Sequence, residues 1–213
     1  MNKILLVSPH LDDAILSAGQ LMADRTDNVV VTVFAGNPTD AENVHTPYDK
    51  NCGFGDAASA MWARRYENEQ ATGLLEATAI NLEFIDEQYG EFNDFDEIVA
   101  KLQSILDNGK YDYILAPLGL GHPDHITVSN AVQKLETNLP VYLWEDIPLR
   151  VVEPELVPER LKELGLHFVD KVDLPAGDVA RKIRSLSCYT SQIGTGILDP
   201  YLLYVPERFY RAR

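Results

Sequence analysis

Two short stretches of this chain concentrate residues able to hold a metal and move protons: Ser8-Pro9-His10-Leu11-Asp12-Asp13 and His122-Pro123-Asp124-His125. Three of the five histidines lie in them, beside three aspartates. A hydrolytic metal site needs about three protein ligands, usually His and carboxylate, with one position left open for water. His10 and Asp13, three residues apart, fall on one side of a turn leading into a helix. His125 completes a His, Asp, His set. Asp12, His122 and Asp124 then stand beside the metal. Asp12 is placed to take a proton from a metal-bound water, whose pKa zinc lowers to about 7. His122 is suited to stabilising an oxyanion and protonating a leaving amine, and Asp124 to orienting a histidine. The expected cofactor is Zn2+, with Fe2+ suited to the same ligands.

Each stretch follows a strand-like apolar run, Lys3 to Val7 before the first and Tyr113 to Pro117 before the second. That is where open α/β sheets bind ligands. Further strand-like runs at Val29 to Phe34, Asn81 to Ile85 and Val141 to Trp144 alternate with helix-like ones. The helical segments are expected at Asp13 to Asp24, Ala57 to Ala77, Phe95 to Asp107 and Ile126 to Glu136. This alternation predicts a single-domain, Rossmann-like α/β fold, mostly parallel, with helices on both faces. One domain over 1–213 is expected, with a C-terminal subregion at about 149–213. In that subregion a small strand is expected around 167–174, then a helix over 177–188 and a turn at Gly194-Thr195-Gly196. Gly36 to Gly55, punctuated by Asn37-Pro38 and Thr46-Pro47, reads as a long loop of the kind that forms lids or binding walls.

The formal charge of -15 and pI near 4.6 argue against nucleic acid or an anionic membrane as partner. No apolar run suggests a membrane span or a signal peptide. Cys52 and Cys188 form no Cys-x-x-Cys pair and are expected to be free thiols in a cytoplasmic protein. Trp62 and the ten tyrosines are expected to pack in the core.

Helix capping offers a plainer account of Asp12 and Asp13, and a helix entry one of His122 and His125. Capping has no need of histidine, so two such clusters after two strands favour the metal.

The residues also resemble the signature of the PIG-L, or LmbE-like, zinc-dependent N-acetylglucosaminyl deacetylases. That family shows Pro-His-Pro-Asp-Asp-Glu after the first strand and His-x-Asp-His after a later one. Here the segments read Pro9-His10-Leu11-Asp12-Asp13-Ala14 and His122-Pro123-Asp124-His125, with Leu11 and Ala14 departing from the pattern. The stretch Arg64 to Ala71 is similar to the family's Arg- and Glu-rich helix, although Glu76 stands where a Gly often ends it. Trp144 to Pro148, Lys182 to Gln192 and Pro206 to Tyr210 resemble further segments. The resemblance implies zinc on His10, Asp13 and His125, Asp12 as general base and His122 as electrostatic or acid partner. It implies a hydrolase that removes an N-acetyl or other N-acyl group from an amino sugar or its conjugate, a small molecule. Arg64 or Arg65, Arg65 foremost, is a candidate for a substrate phosphate or hydroxyl, with a surface arginine paired to Glu67 or Glu69 as the plainer account, and Trp144, Glu145 and Asp146 are candidates for the sugar pocket. The alternatives are a metal hydrolase of another amide or ester, and a glycan- or nucleotide-binding protein without turnover. An iron oxygenase on these ligands fits the strand-loop setting less well.

Overall fold

Aliphatic runs free of charge form strands that are buried on both faces. The computed structural model describes residues 3–174, 177–195 and 198–213. In it β1 (Ile4–Ser8), β2 (Val29–Thr32), β3 (Thr78–Asn81), β4 (Tyr113–Pro117) and β5 (Val141–Trp144) pair in parallel. Two short strands, β6 (Lys171–Val172) and β7 (Phe209–Arg211), extend the sheet in antiparallel fashion. The order is β3-β2-β1-β4-β5-β7-β6. Residues 149–213 thus close the main sheet through β6 and β7.

The helices are α1 (Asp13–Met22), α2 (Pro47–Asn51), α3 (Ala57–Leu74), α4 (Phe95–Asn108), α5 (Pro123–Lys134), α6 (Leu149–Val152), α7 (Leu156–Glu163) and α8 (Val179–Leu186). Successive strand residues point to opposite faces, so each face gathers its own core. Leu5, Val7, Ile114 and Leu143 pack with Leu102 of α4 and Val128 of α5. Ile4, Leu6, Val30 and Leu115 pack with Ile15 of α1, Ala71 of α3 and Leu186 of α8. The fold is the expected mostly parallel α/β sheet with helices on both faces. No helix among the described residues is long and apolar enough to cross a membrane, and both cysteines are free.

Local differences have local causes. The third strand lies earlier than 81–85, because its pairing with β2 sets Thr78 opposite Val29 and Asn81 opposite Thr32. Helix α3 stops at Leu74 rather than Ala77, since Glu76 takes a left-handed φ of 53°, the conformation that ends helices and favours glycine. The 36–55 segment is not all loop. Thr46-Pro47 starts α2, with the Thr46 hydroxyl accepting the Asp49 N–H at 3.0 Å, a capping signal that reads like loop punctuation. Helix α5 begins at Pro123, before the expected Ile126, with His122 as its cap. The expected strand over 167–174 narrows to β6, after a 3-10 turn at Phe168–Asp170. Of the expected Gly194–Gly196 turn, Gly196 lies outside the described residues. Trp62 is 72% exposed and stacks on Tyr66, which with Tyr201 and Tyr204 also stays outside the core.

Candidate active site

Strands β1 and β4 are neighbours, and the chain fans out from them to β2 on one side and β5 on the other. The crevice beyond their carboxyl ends is the switch point where such sheets hold ligands. The turn after β1 delivers His10, Asp12 and Asp13 to it. The turn after β4 delivers His122, Asp124 and His125.

The two turns meet around Asp13. His10 Nδ1 lies 3.1 Å from Asp13 Oδ2, and His125 Nε2 lies 3.2 Å from the same oxygen. The ligand atoms of His10, Asp13 and His125 fall within 4.8 Å of one another. Each ring is anchored through its other nitrogen: His10 Nε2 on Asp124 Oδ2 at 2.9 Å, His125 Nδ1 on Asp146 Oδ1 at 2.7 Å. Both carboxylates are fixed in turn. Asp124 accepts the Glu87 N–H at 3.1 Å, and Asp146 accepts the N–H groups of Gly119 and Leu120 at 2.9 and 3.2 Å. Two imidazole nitrogens and a carboxylate converging in this way fit a divalent metal, and their backing carboxylates set ring orientation. His10, His122 and Asp124 also lie within that distance. In that second set, however, Asp124 is already bonded to His10, and His122 Nδ1 accepts the Asp124 N–H at 3.2 Å.

Asp12 stands at the start of α1, yet its side chain makes no capping bond. Only its carbonyl serves the helix, accepting Ile15 and Leu16 N–H. The carboxylate, free of the cap, lines the cavity. Burial, reinforced by the adjacent Asp13 charge, pushes its pKa up to about 6. Asp13 moves the other way: burial opposes its ionisation, but His125 and His10 together hold it well below the usual carboxylate range. Burial lowers the pKa of His125, yet Asp13 and Asp146 outweigh it and bring the value to about 10. In His10 burial is likewise outweighed, by Asp86, Asp124 and Asp13. His122 is pushed below the ordinary value by burial and by its two histidine neighbours, so it is neutral. With Nδ1 accepting, its proton sits on Nε2.

These groups open into a cavity of about 380 Å³. Its apolar walls come from Leu11, Phe34, Tyr48, Met61, Pro148, Leu149 and Tyr189, and its further polar lining from Arg64, Asp86, Gln88 and Gln192.

Three expected substrate residues are placed elsewhere. Arg65 donates to the Ala35 carbonyl at 2.6 Å and to Glu83 at 2.7 Å. The buried Arg64 lines the cavity instead, because one residue turns a helix by about 100°. Glu145 is buried at the end of β5, bonded by Arg150 and by the Tyr210 hydroxyl, both at 2.7 Å. Asp146 holds His125. Tyr48, Asp86 and Gln88 were not singled out in the sequence, and Gln192 only as the end of the Lys182 to Gln192 segment. They come from a short helix, a 3-10 entry and a C-terminal turn, none of which carries a chemical signature.

The segments that supported the resemblance brace one another. Lys182 pairs with Glu207 at 2.8 Å, and Glu67 accepts from the Thr190 and Ser191 hydroxyls, each at 2.7 Å. Ala14 is buried among aliphatic side chains, while its N–H donates to Ser8 Oγ at 3.0 Å.

Fold and site together define a doubly wound α/β protein with a His, Asp, His donor set at its switch point. The chain belongs to the PIG-L family: the family described as PIG-L, GlcNAc-PI de-N-acetylase, matches residues 5–135. No curated protein matches the chain. Among solved structures, a triple mutant of a deacetylase in the teicoplanin biosynthetic pathway shares the fold, with 24% identity and a TM-score of 0.77 over 98% of this chain and 97% of that one. A deacetylase of the antimicrobial A40926 pseudoaglycone is 26% identical, with a TM-score of 0.73 over 90% and 82% of the two chains. The zinc-inhibited form of a teicoplanin deacetylase is 25% identical, with a TM-score of 0.71 over 89% and 84%.

Proposed function

We propose that this protein is a metal-dependent hydrolase that removes an N-acetyl group from an amino-sugar conjugate. The observation that carries this reading is the uncapped Asp12 carboxylate beside the His10, Asp13, His125 donor set. A zinc or other divalent ion held by those three residues supplies Lewis acidity to the amide. Asp12 accepts a proton from the attacking water, and a carboxyl with a pKa of about 6 suits that transfer near neutrality. His122 presents its Nε2–H to the charge that develops on the carbonyl oxygen, and Asp12 passes the proton taken from the water to the nitrogen as the C–N bond breaks. Asp124 and Asp146 keep the His10 and His125 rings in place. The deacetylases of teicoplanin and of the A40926 pseudoaglycone support glycoconjugates as the first substrates to try.

Asp12→Asn removes the base and keeps the ligands, so it should hold metal while acetate release falls by about a hundredfold or more. His125→Ala should lower metal content. Elemental analysis and an amine-release assay over N-acetylated sugars and conjugates read both. An Asp12→Asn protein as active as its parent would sink the mechanism.

A further inference from the structure

The turn after β1 has to hold its own backbone still, and each of its carbonyls is bonded. Those of Ser8 and Pro9 accept the N–H groups of Val33 and Phe34 at 2.9 and 3.0 Å. That of His10 accepts the Ser8 hydroxyl at 2.6 Å, and that of Asp12 accepts the N–H groups of Ile15 and Leu16 in α1. The Leu11 carbonyl is held from much further away. It accepts the hydroxyl of Tyr189, 178 residues along the chain, at 2.8 Å.

The same hydroxyl lies 2.8 Å from the Oδ1 position of the Asn68 side-chain amide, on α3. One hydroxyl proton cannot serve two acceptors. Asn68 Nδ2, meanwhile, is buried with no partner among the described residues. The amide turned over presents that NH2 group to the hydroxyl oxygen, so the bonds run one way, from Asn68 to Tyr189 to Leu11. Burial, with the Asp12 charge nearby, holds the Tyr189 pKa well above its ordinary value, and the hydroxyl keeps the proton it donates.

The Leu11 carbonyl belongs to the peptide plane that leads into Asp12, and Asp12 has no capping bond to aim its carboxylate. His10 and Asp13 are steadied separately, by the His10 N–H on Asp13 Oδ2 at 2.9 Å and by Asp124 on the His10 ring. Leucine also stands where the family pattern has proline, whose ring would fix φ. A hydrogen bond to its carbonyl supplies a restraint that the leucine itself lacks.

We propose that Asn68 and Tyr189 are positioning residues: through the Leu11 carbonyl they hold the Asp12 carboxylate at the angle the reaction needs. The assignment rests on the N-deacetylase reading.

Tyr189→Phe removes the hydroxyl and keeps the ring in the cavity wall. With an N-acetylglucosamine glycoside as substrate, kcat of the zinc-loaded variant should fall about tenfold or more, while KM and bound metal stay close to the parent's. Asn68→Ala should cost less, because Tyr189 can still donate to Leu11, and the double variant should be no slower than Tyr189→Phe alone. A hydroxyl that merely braced the fold would lower the unfolding midpoint and leave kcat unchanged. A parental kcat in Tyr189→Phe, or losses that multiply in the double variant, overturns the proposal. The bond is also read without turnover. In protein carrying 13C at leucine carbonyls and 15N at aspartate, the three Leu-Asp peptides, at Leu11, Leu106 and Leu198, give three NMR cross-peaks. Tyr189→Phe should move the Leu11 peak and leave the other two. Three unmoved peaks overturn the relay whatever the activity. A parent that releases no acetate from any N-acyl sugar sinks the reaction, and with it the catalytic role, while a moved Leu11 peak still establishes the bond.

Discussion

Asp146 shows how much of this site rests on side chains that never reach the cavity. It grips His125 Nδ1 at 2.7 Å and is itself held by two backbone N–H groups. Asp146→Ala should therefore lower metal affinity by about tenfold to a hundredfold while all three proposed ligands remain, as competition with a coloured chelator would show. His10, Asp12, Asp13, His122 and His125 were legible in the sequence because their residue types are scarce and their spacing is chemical. Asp146 was legible as a site residue but not in its role, since adjacent strand-end carboxylates give no sign of which one turns inward. Arg64 against Arg65 was decided by one helical step, finer than a sequence boundary can be drawn. Asp86 was hidden among 33 acidic residues and is marked out only by folding.

At the level of elements, α2 is the part of the site that composition conceals. It lies in a stretch of Asn, Pro and Gly, yet it is pinned to α3 by the buried Asp49–Arg64 pair at 2.8 Å, and the Tyr89 hydroxyl donates to Asp49 at 3.1 Å. Removing one partner of a buried pair strands the other, which costs about 3–5 kcal/mol. Asp49→Ala should destabilise the protein by about that much in urea unfolding, and hydrogen exchange should rise first across residues 46–54. An unchanged midpoint would mean that α2 is held by other contacts. The long elements were readable from apolar periodicity. Their ends were not, because cross-strand register fixed β3 and a left-handed Glu76 ended α3.

Over the whole molecule, the mostly parallel sheet with helices on both faces followed from alternating strand and helix signals, and a small strand was expected around β6, whereas the three residues of β7 are too few to announce themselves. The assembled site also makes global stability depend on pH. With His125 raised from 6.5 to about 10, the folded, metal-free protein binds a proton there that the unfolded chain has released. This contribution is complete below about pH 6.5 and is lost as pH climbs through about 10. Asp13 titrates far below that window, Asp12 overlaps only its lower edge, and His10, also raised, adds to the same loss. Chelator-treated protein should accordingly lose unfolding free energy across it, and metal affinity should rise over the same range as protons give way to the ion. A flat profile would show that neither His10 nor His125 holds an extra proton without metal. The cavity is also assembled from two parts of the chain in succession. The family match ends at residue 135, and apart from Asp146 every group of the acid and histidine cluster precedes that point. Pro148, Leu149, Tyr189 and Gln192 all follow it. Part of the cavity wall thus lies beyond the family match, and substitutions after residue 135 that spare Asp146 can reshape that part while leaving the acid and histidine cluster in place.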